Sequence, residues 1–198
     1  MHFPFNKRNL LLGGGAALWL IGIGFGSWVV SARNFAPGVS GHPEPVWPEQ
    51  SALRRNPAGF TLVVALHPEC PCSQATLEEL DSIMAQNRGQ LSVHVLCLQY
   101  DRLPEPVERS AIWRRAQRIP GVTLTKDMDG AEARRFAALT SGEARLYGAN
   151  GALIFHGGIT GSRGHMGDNP GSAAVLDFIS GHATALTPTS TPAFGCSL

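Results

Sequence analysis

The sequence predicts an α/β domain, a mixed sheet with helices on its faces, behind one N-terminal membrane helix. Three observations carry this. Residues 10–30 contain no charge. Short apolar runs rich in β-formers then alternate with helical periodicities in the order βαβαβαββα, the signature of helices laid on a sheet. Finally, two cysteines sit one residue apart where the first strand gives way to the first helix.

The run LLLGGGAALWLIGIGFGSWVV is 21 residues long, roughly 30 Å as a helix and enough to span a bilayer. Lys7 and Arg8 precede it and only Arg33 follows closely. The positive-inside rule then leaves residues 1–9 in the cytoplasm and everything after Ser31 in the periplasm or another extracytoplasmic space. A cleaved signal peptide ending near Val30-Ser31-Ala32 is the competing reading, but the apolar run exceeds the 7–15 residues of a usual signal core. Residues 31–58 carry Pro37, Pro43, Pro45, Pro48 and Pro57. They are expected to form an extended spacer, since proline cannot continue a helix.

The domain is assigned to 59–183. Its expected elements are a buried strand at 60–66 (FTLVVAL), a helix at 73–87, a strand at 91–98, a helix at 107–119 and a brief strand at 122–125. A helix at 131–139 and strands at 143–147 and 152–156 around Asn150-Gly151, a hairpin signal, come next. A helix at 172–182 closes the series. Residues 184–198 read as an irregular tail carrying Cys196. With 43% hydrophobic residues, 16% charged and a net charge of +1, the composition gives no support for nucleic-acid binding, which needs a basic patch or stripe. Four cysteines are too few for a disulfide scaffold but enough for a redox or metal site.

The segment HPECPCS places Cys70 at the C-terminal edge of the first strand, where ligands and reactive groups gather in open α/β sheets. The adjoining helix N-terminus favours a thiolate there. Cys70 is therefore expected to be the more exposed and more acidic thiol. Cys97, between Leu96 and Leu98, reads as a small buried hydrophobe. The 13 residues from Ala183 to Gly195 reach about 40 Å when extended. The tail can thus return and set Cys196 within disulfide or shared-metal distance of Cys70 or Cys72, with Phe194 as its apolar anchor. The long loop 157–171 should end on the same side, making His165 and Asp168 rim residues. His67 is placed to support the thiolate or bind a metal, and Arg145 to pair with a thiolate or carboxylate at the site. His94 and His156 read as structural.

Element order and the position of Cys70 resemble the thioredoxin-like superfamily, particularly its membrane-tethered ResA/TlpA-type members, over about residues 58–183. The insert VERSAIWRRAQRIPGVTLTKDMDGAEARRFAAL, the hairpin RLYGANGALIFHGG and the terminal FGC also resemble the RedB family. The resemblance implies thiol–disulfide exchange with protein thiols and disulfides outside the cytoplasm, with Cys70 attacking, Cys72 resolving, Cys196 as a relay and no cofactor. This sequence departs from the family pattern twice. The usual Cys-x-x-Cys is here Cys70-Pro71-Cys72, with Ser73 where the second family cysteine would fall. The proline that family members carry opposite the site, shaping the substrate-peptide groove, is replaced by Thr140-Ser141-Gly142. A second reading is Cu(I) binding or delivery through Cys70, Cys72 and Cys196, since soft thiolates select Cu(I). A third is a peroxiredoxin-like peroxidase using Cys70 with Arg145, for which the sequence lacks Pro-x-x-x-Thr-x-x-Cys.

Overall fold

A computed structural model describes residues 7–87, 89–183 and 188–198, with side chains from Leu11 onward. The chain divides at Ala36/Pro37 into two units. The first is helix α1, Lys7–Asn34, whose stretch Leu11–Asn34 is long and apolar enough to cross a membrane.

The second unit holds strands β1 (Phe60–Leu66), β2 (Leu91–Gln99), β3 (Val122–Met128), β4 (Glu143–Tyr147), β5 (Leu153–Gly158) and β6 (Thr189–Ser190). Its helices are α2 (Cys72–Gln86), α3 (Ala111–Ala116), α4 (Ala131–Arg135) and α5 (Pro170–Ile179). The strands form one sheet in the order β3-β2-β1-β4-β5-β6. Strands β1, β2 and β3 run parallel, β4 is antiparallel to β1 and β5, and β6 is parallel to β5.

The period-2 pleat sorts β1 into two faces. Leu62, Val64 and Leu66 pack with Leu77, Leu80 and Ile83 of α2 and with Val175 and Phe178 of α5, while Val63 and Ala65 pack with Phe136 and Tyr147. Both faces are therefore apolar, which is why the strand reads as an unbroken hydrophobic run.

Two expected helices are shorter than their periodicity suggested. The 107–119 segment breaks at Ser110, whose hydroxyl accepts the Trp113 N–H and starts α3 afresh behind a 3-10 turn at Val107–Arg109. The 131–139 segment stops at Arg135 because Phe136 leaves the helical region and Ala137 takes a positive φ of 51°. The tail is not wholly irregular, since Thr189–Ser190 adds a short sheet edge.

The expected free spacer is corrected from Pro37 onward. Val46 bridges antiparallel to Ala152, Trp47 N–H donates to Gly151 O (2.8 Å) and Leu153 N–H to Pro45 O (2.8 Å). Trp47 packs edge-on against Phe136 (5.0 Å between centroids) and Tyr147 (5.1 Å). The short α4 leaves apolar surface on this face of the sheet, and the Trp47 and Leu53 side chains between the prolines cover it. Proline forbids a helix here but leaves the extended backbone free to pair.

Candidate functional site

The first strand ends at Leu66, and a turn through His67-Pro68-Glu69 delivers Cys70, whose N–H donates to His67 O (3.2 Å). Helix α2 starts at Cys72 behind Pro71, which has helical φ/ψ of −58°/−29° and offers no capping side chain. The leading N–H groups of such a helix seek another acceptor. The Cys70 sulfur lies beside them, and the Cys72 N–H favours its thiolate.

The tail supplies the rest. Ser141 N–H donates to Cys196 O (2.8 Å), Leu198 N–H donates to Leu139 O (2.9 Å), and Thr140 and Ser197 form an antiparallel bridge. Gly195 runs so close to the 140–141 backbone that a Cβ there would lie 1.9 Å from Ser141 O, an approach open only to glycine. Phe194 is buried, and so is Ala193, whose carbonyl accepts the Gly38 N–H (2.8 Å). Held this way, Cys196 donates its N–H to Cys70 Sγ at 3.3 Å, and its thiol also hydrogen-bonds that sulfur.

The exposures reverse the expectation. Cys70 is only 2% exposed, Cys72 is 8% exposed and Cys196 is the exposed thiol. Burial pushes the Cys70 thiol up, but the hydrogen bonds from the Cys196 thiol and N–H and from the Cys72 N–H and thiol outweigh it and hold Cys70 below the ordinary thiol range. Cys72 moves up through burial and the neighbouring Cys70 charge. Cys196, donating to Cys70, is pushed up to about 11. One sulfur thus takes the negative charge and two others support it.

The predicted flanking residues divide. Ser73 and Ser141 are fully buried. His67 N–H donates to Ser141 Oγ (2.9 Å), the two hydroxyls share a 2.8 Å bond, and Ser73 Oγ donates to His67 O (2.8 Å). Only one set of donor directions closes this ring, with Ser141 donating to Ser73, and it ties β1, α2 and the β4 lead-in together. Gly142, at φ +92°, donates its N–H to Ala65 O (2.8 Å), and Thr140 Oγ1 donates to Val39 O (2.7 Å). These residues position the tail and the helix start.

His67 does not serve the thiolate. Its Nδ1 accepts the Glu69 N–H (3.1 Å), its ring stacks obliquely on Tyr100 (5.5 Å), and burial lowers its pKa. Arg145 is also removed from the chemistry. It is fully buried and donates to the carbonyls of Phe136 (3.0 Å), Ala144 (3.1 Å) and Ala137 (2.8 Å), with Glu143 as its ion partner at 3.3 Å. The Phe136 and Ala137 carbonyls are freed by the early end of α4, an ending that the helical periodicity hid. His165 and Asp168 are exposed and neither contacts a sulfur among the described hydrogen bonds. Asn169, the neighbour of Asp168, caps α5 through the N–H groups of Gly171 and Ser172.

The same loop contributes a residue that sequence reasoning missed. Arg163 Nη1 donates to Gly195 O (2.8 Å), and its charge favours the thiolates of Cys72 and Cys196, while Gly164 N–H reaches Cys72. Its being the one arginine of a loop already assigned to the site was the available signal. Among the described residues no group of three or more His, Cys, Asp or Glu side chains converges as a metal-ligand set.

The strand order places three parallel strands beside an antiparallel pair, with the cysteines at the β1–α2 junction in the middle of the sheet. The domain has the thioredoxin-like fold. Two solved structures share this fold, and a third is similar over a smaller part of the chain. A hypothetical protein from Sinorhizobium meliloti superimposes with a TM-score of 0.56 at 19% identity, over 82% of this chain and 93% of that one. An uncharacterized conserved protein from Geobacillus kaustophilus gives 0.56 at 14% identity, over 82% and 91%. A secreted Mycobacterium tuberculosis disulfide oxidoreductase is similar at a TM-score of 0.44 and 13% identity, over 63% and 82%. No family model matches the sequence, and no curated protein matches it.

Proposed function

We propose that this protein is a thiol–disulfide oxidoreductase, anchored by α1 with its domain outside the cytoplasm, in which Cys70 is the exchanging thiolate. One observation carries the reading: a nearly buried sulfur, at a helix start, accepts a backbone N–H at 3.3 Å and is ringed by two further thiols. A packed structural cysteine has no use for such donors. A thiolate that must attack or leave at neutral pH does, because thiolate character sets exchange rates. Both Cys72 and Cys196 are within reach as the second sulfur, and the substrates are protein thiols and disulfides. The absence of the groove-shaping proline fits a site whose groove backbone is already paired with the chain's own tail.

Equilibration of the full chain in glutathione redox buffers tests this. A two-electron transition lost in Cys70→Ser supports it; no disulfide at any glutathione ratio contradicts it. Titrating the reduced protein with Cu(I) against a competing chelator examines the copper alternative. Tight copper retention in a protein that never forms a disulfide would replace the first reading with the second. Localisation is read from a reporter active only outside the cytoplasm, fused after Leu198. Signal in the membrane fraction is expected, and soluble protein beginning near Arg33 would show cleavage.

A further inference from the structure

The three sulfurs are not equivalent in access. Cys70 is 2% exposed, Cys72 is 8% exposed, and Cys196 faces solvent 126 residues away in the chain. Cys196 is nonetheless firmly placed. The tail on either side of it is pinned by Ser141 N–H, Leu139 O and the Thr140–Ser197 bridge, and Arg163 holds the carbonyl of Gly195. Ser197 and Leu198 also line a cleft of about 410 Å³ with His67, Leu98, Tyr100 and Asp129, which leaves open space beside the tail. Cys196 itself is exposed, so a partner thiol can reach it while Cys70 stays covered.

We propose, on the reading that Cys70 is a redox thiolate, that the working disulfide joins Cys70 to Cys196, and that an external protein thiolate attacks the exposed Cys196 sulfur, so that the protein oxidises substrate dithiols. In the first step the substrate thiolate bonds to Cys196 Sγ and the Cys70–Cys196 bond breaks, its electron pair staying on Cys70 Sγ. The Cys196 N–H is already aimed at that sulfur and receives the charge. In the second step the substrate's other thiolate attacks its own bonded sulfur. The substrate disulfide departs, and Cys196 leaves and takes a proton from solvent. The substrate loses two electrons and two protons. The protein gains the electrons and one proton, and the other proton goes to solvent. The reverse reaction with a more oxidising disulfide restores the starting state.

The direction follows from which state of the protein is stabilised. Cys70 Sγ, buried at the helix start, already receives the Cys196 N–H at 3.3 Å, and stabilising the thiolate of the reduced form makes the disulfide the stronger oxidant. Run as a reductase, the exposed attacking sulfur would be Cys196, the poorly ionised one. Cys72, between Cys70 and the loop that carries Arg163 and Gly164, acts as a donor to Cys70.

Peptide mapping decides the pairing. The full chain in detergent micelles is oxidised with excess oxidised glutathione, quenched in acid, blocked with an alkylating reagent and cut with trypsin. The account expects the peptide 56–88 linked to 164–198 through Cys70 and Cys196, with Cys72 alkylated. A disulfide closed within 56–88, with Cys196 alkylated, overturns the pairing and leaves the redox reading standing. No disulfide at all overturns the redox reading itself. A second sample of the oxidised protein, mixed briefly with reduced glutathione as the probe thiolate, should carry the glutathione adduct on Cys196 about tenfold over Cys70. A preponderance on Cys70 overturns the direction of attack.

Discussion

Cys70 and Cys97 are buried almost equally, at 2% and 0% exposure, yet their thiols move in opposite directions. Cys97 lies inside β2 on the face packed by α2, with apolar neighbours, and burial alone pushes it up to about 12. Cys70 lies at the open end of β1, where the helix start and the returning tail each turn a donor toward it. Burial therefore does not decide whether a cysteine here is inert. The donors do, and the tail contributes the largest of them.

The largest expected effect lies on the Cys97 side of that comparison. A raised folded pKa gives stability that is intact below the ordinary thiol value and lost as pH climbs toward about 12. Over that window Cys97 alone should cost about 1.4 kcal/mol per pH unit. Cys97→Ala should remove that slope while costing about 1 kcal/mol at neutral pH for the lost packing. Urea unfolding of both proteins along an alkaline series reads the difference, and parallel curves would break the comparison. Cys70 carries the opposite sign. Its depressed folded value stabilises the reduced fold above the ordinary thiol range and loses that contribution as pH falls through the folded value.

Next in size is Phe194→Ala. The ring is 7% exposed, and losing its burial should cost about 2–3 kcal/mol, spent mainly on undocking the tail. Cys70 should then become more accessible and less acidic together, with faster labelling at high pH and slower labelling at low pH. Labelling unchanged at every pH would show that Phe194 does not hold the tail.

The smallest effect belongs to Arg163→Gln. Loss of its charge should raise Cys72 and Cys196 by less than about one pH unit, with stability within about 0.5 kcal/mol. Labelling of exposed Cys196 against pH measures it, and an unmoved inflection would reduce Arg163 to a tether for Gly195.

The strand–helix junction was legible because its parts are neighbours in sequence: an apolar run, a proline-bounded turn and a helical periodicity meet at Cys70. The return of the tail followed from chain reach and from Phe194. The early end of α4 was not legible, because it lies at Phe136–Ala137 inside an unbroken run of helix formers, and the error carried Arg145 into the wrong role. Nor was the packing of Trp47 and Leu53, since proline content reports what the backbone cannot form, not what its side chains can cover. In the loop 157–171 the titratable His165 and Asp168 drew the assignment, whereas the contact to the tail is made by Arg163 through a backbone carbonyl.

Whether the tail makes Cys70 acidic is read from the NMR shift of the Cys70 β-carbon against pH. It is to be followed in the reduced full chain and in a chain ending at Pro192. An inflection below the ordinary thiol range is expected in the full chain, and one displaced upward, toward the behaviour of Cys97, in the shortened chain. The same inflection in both chains, or one at or above the ordinary range in the full chain, would contradict it.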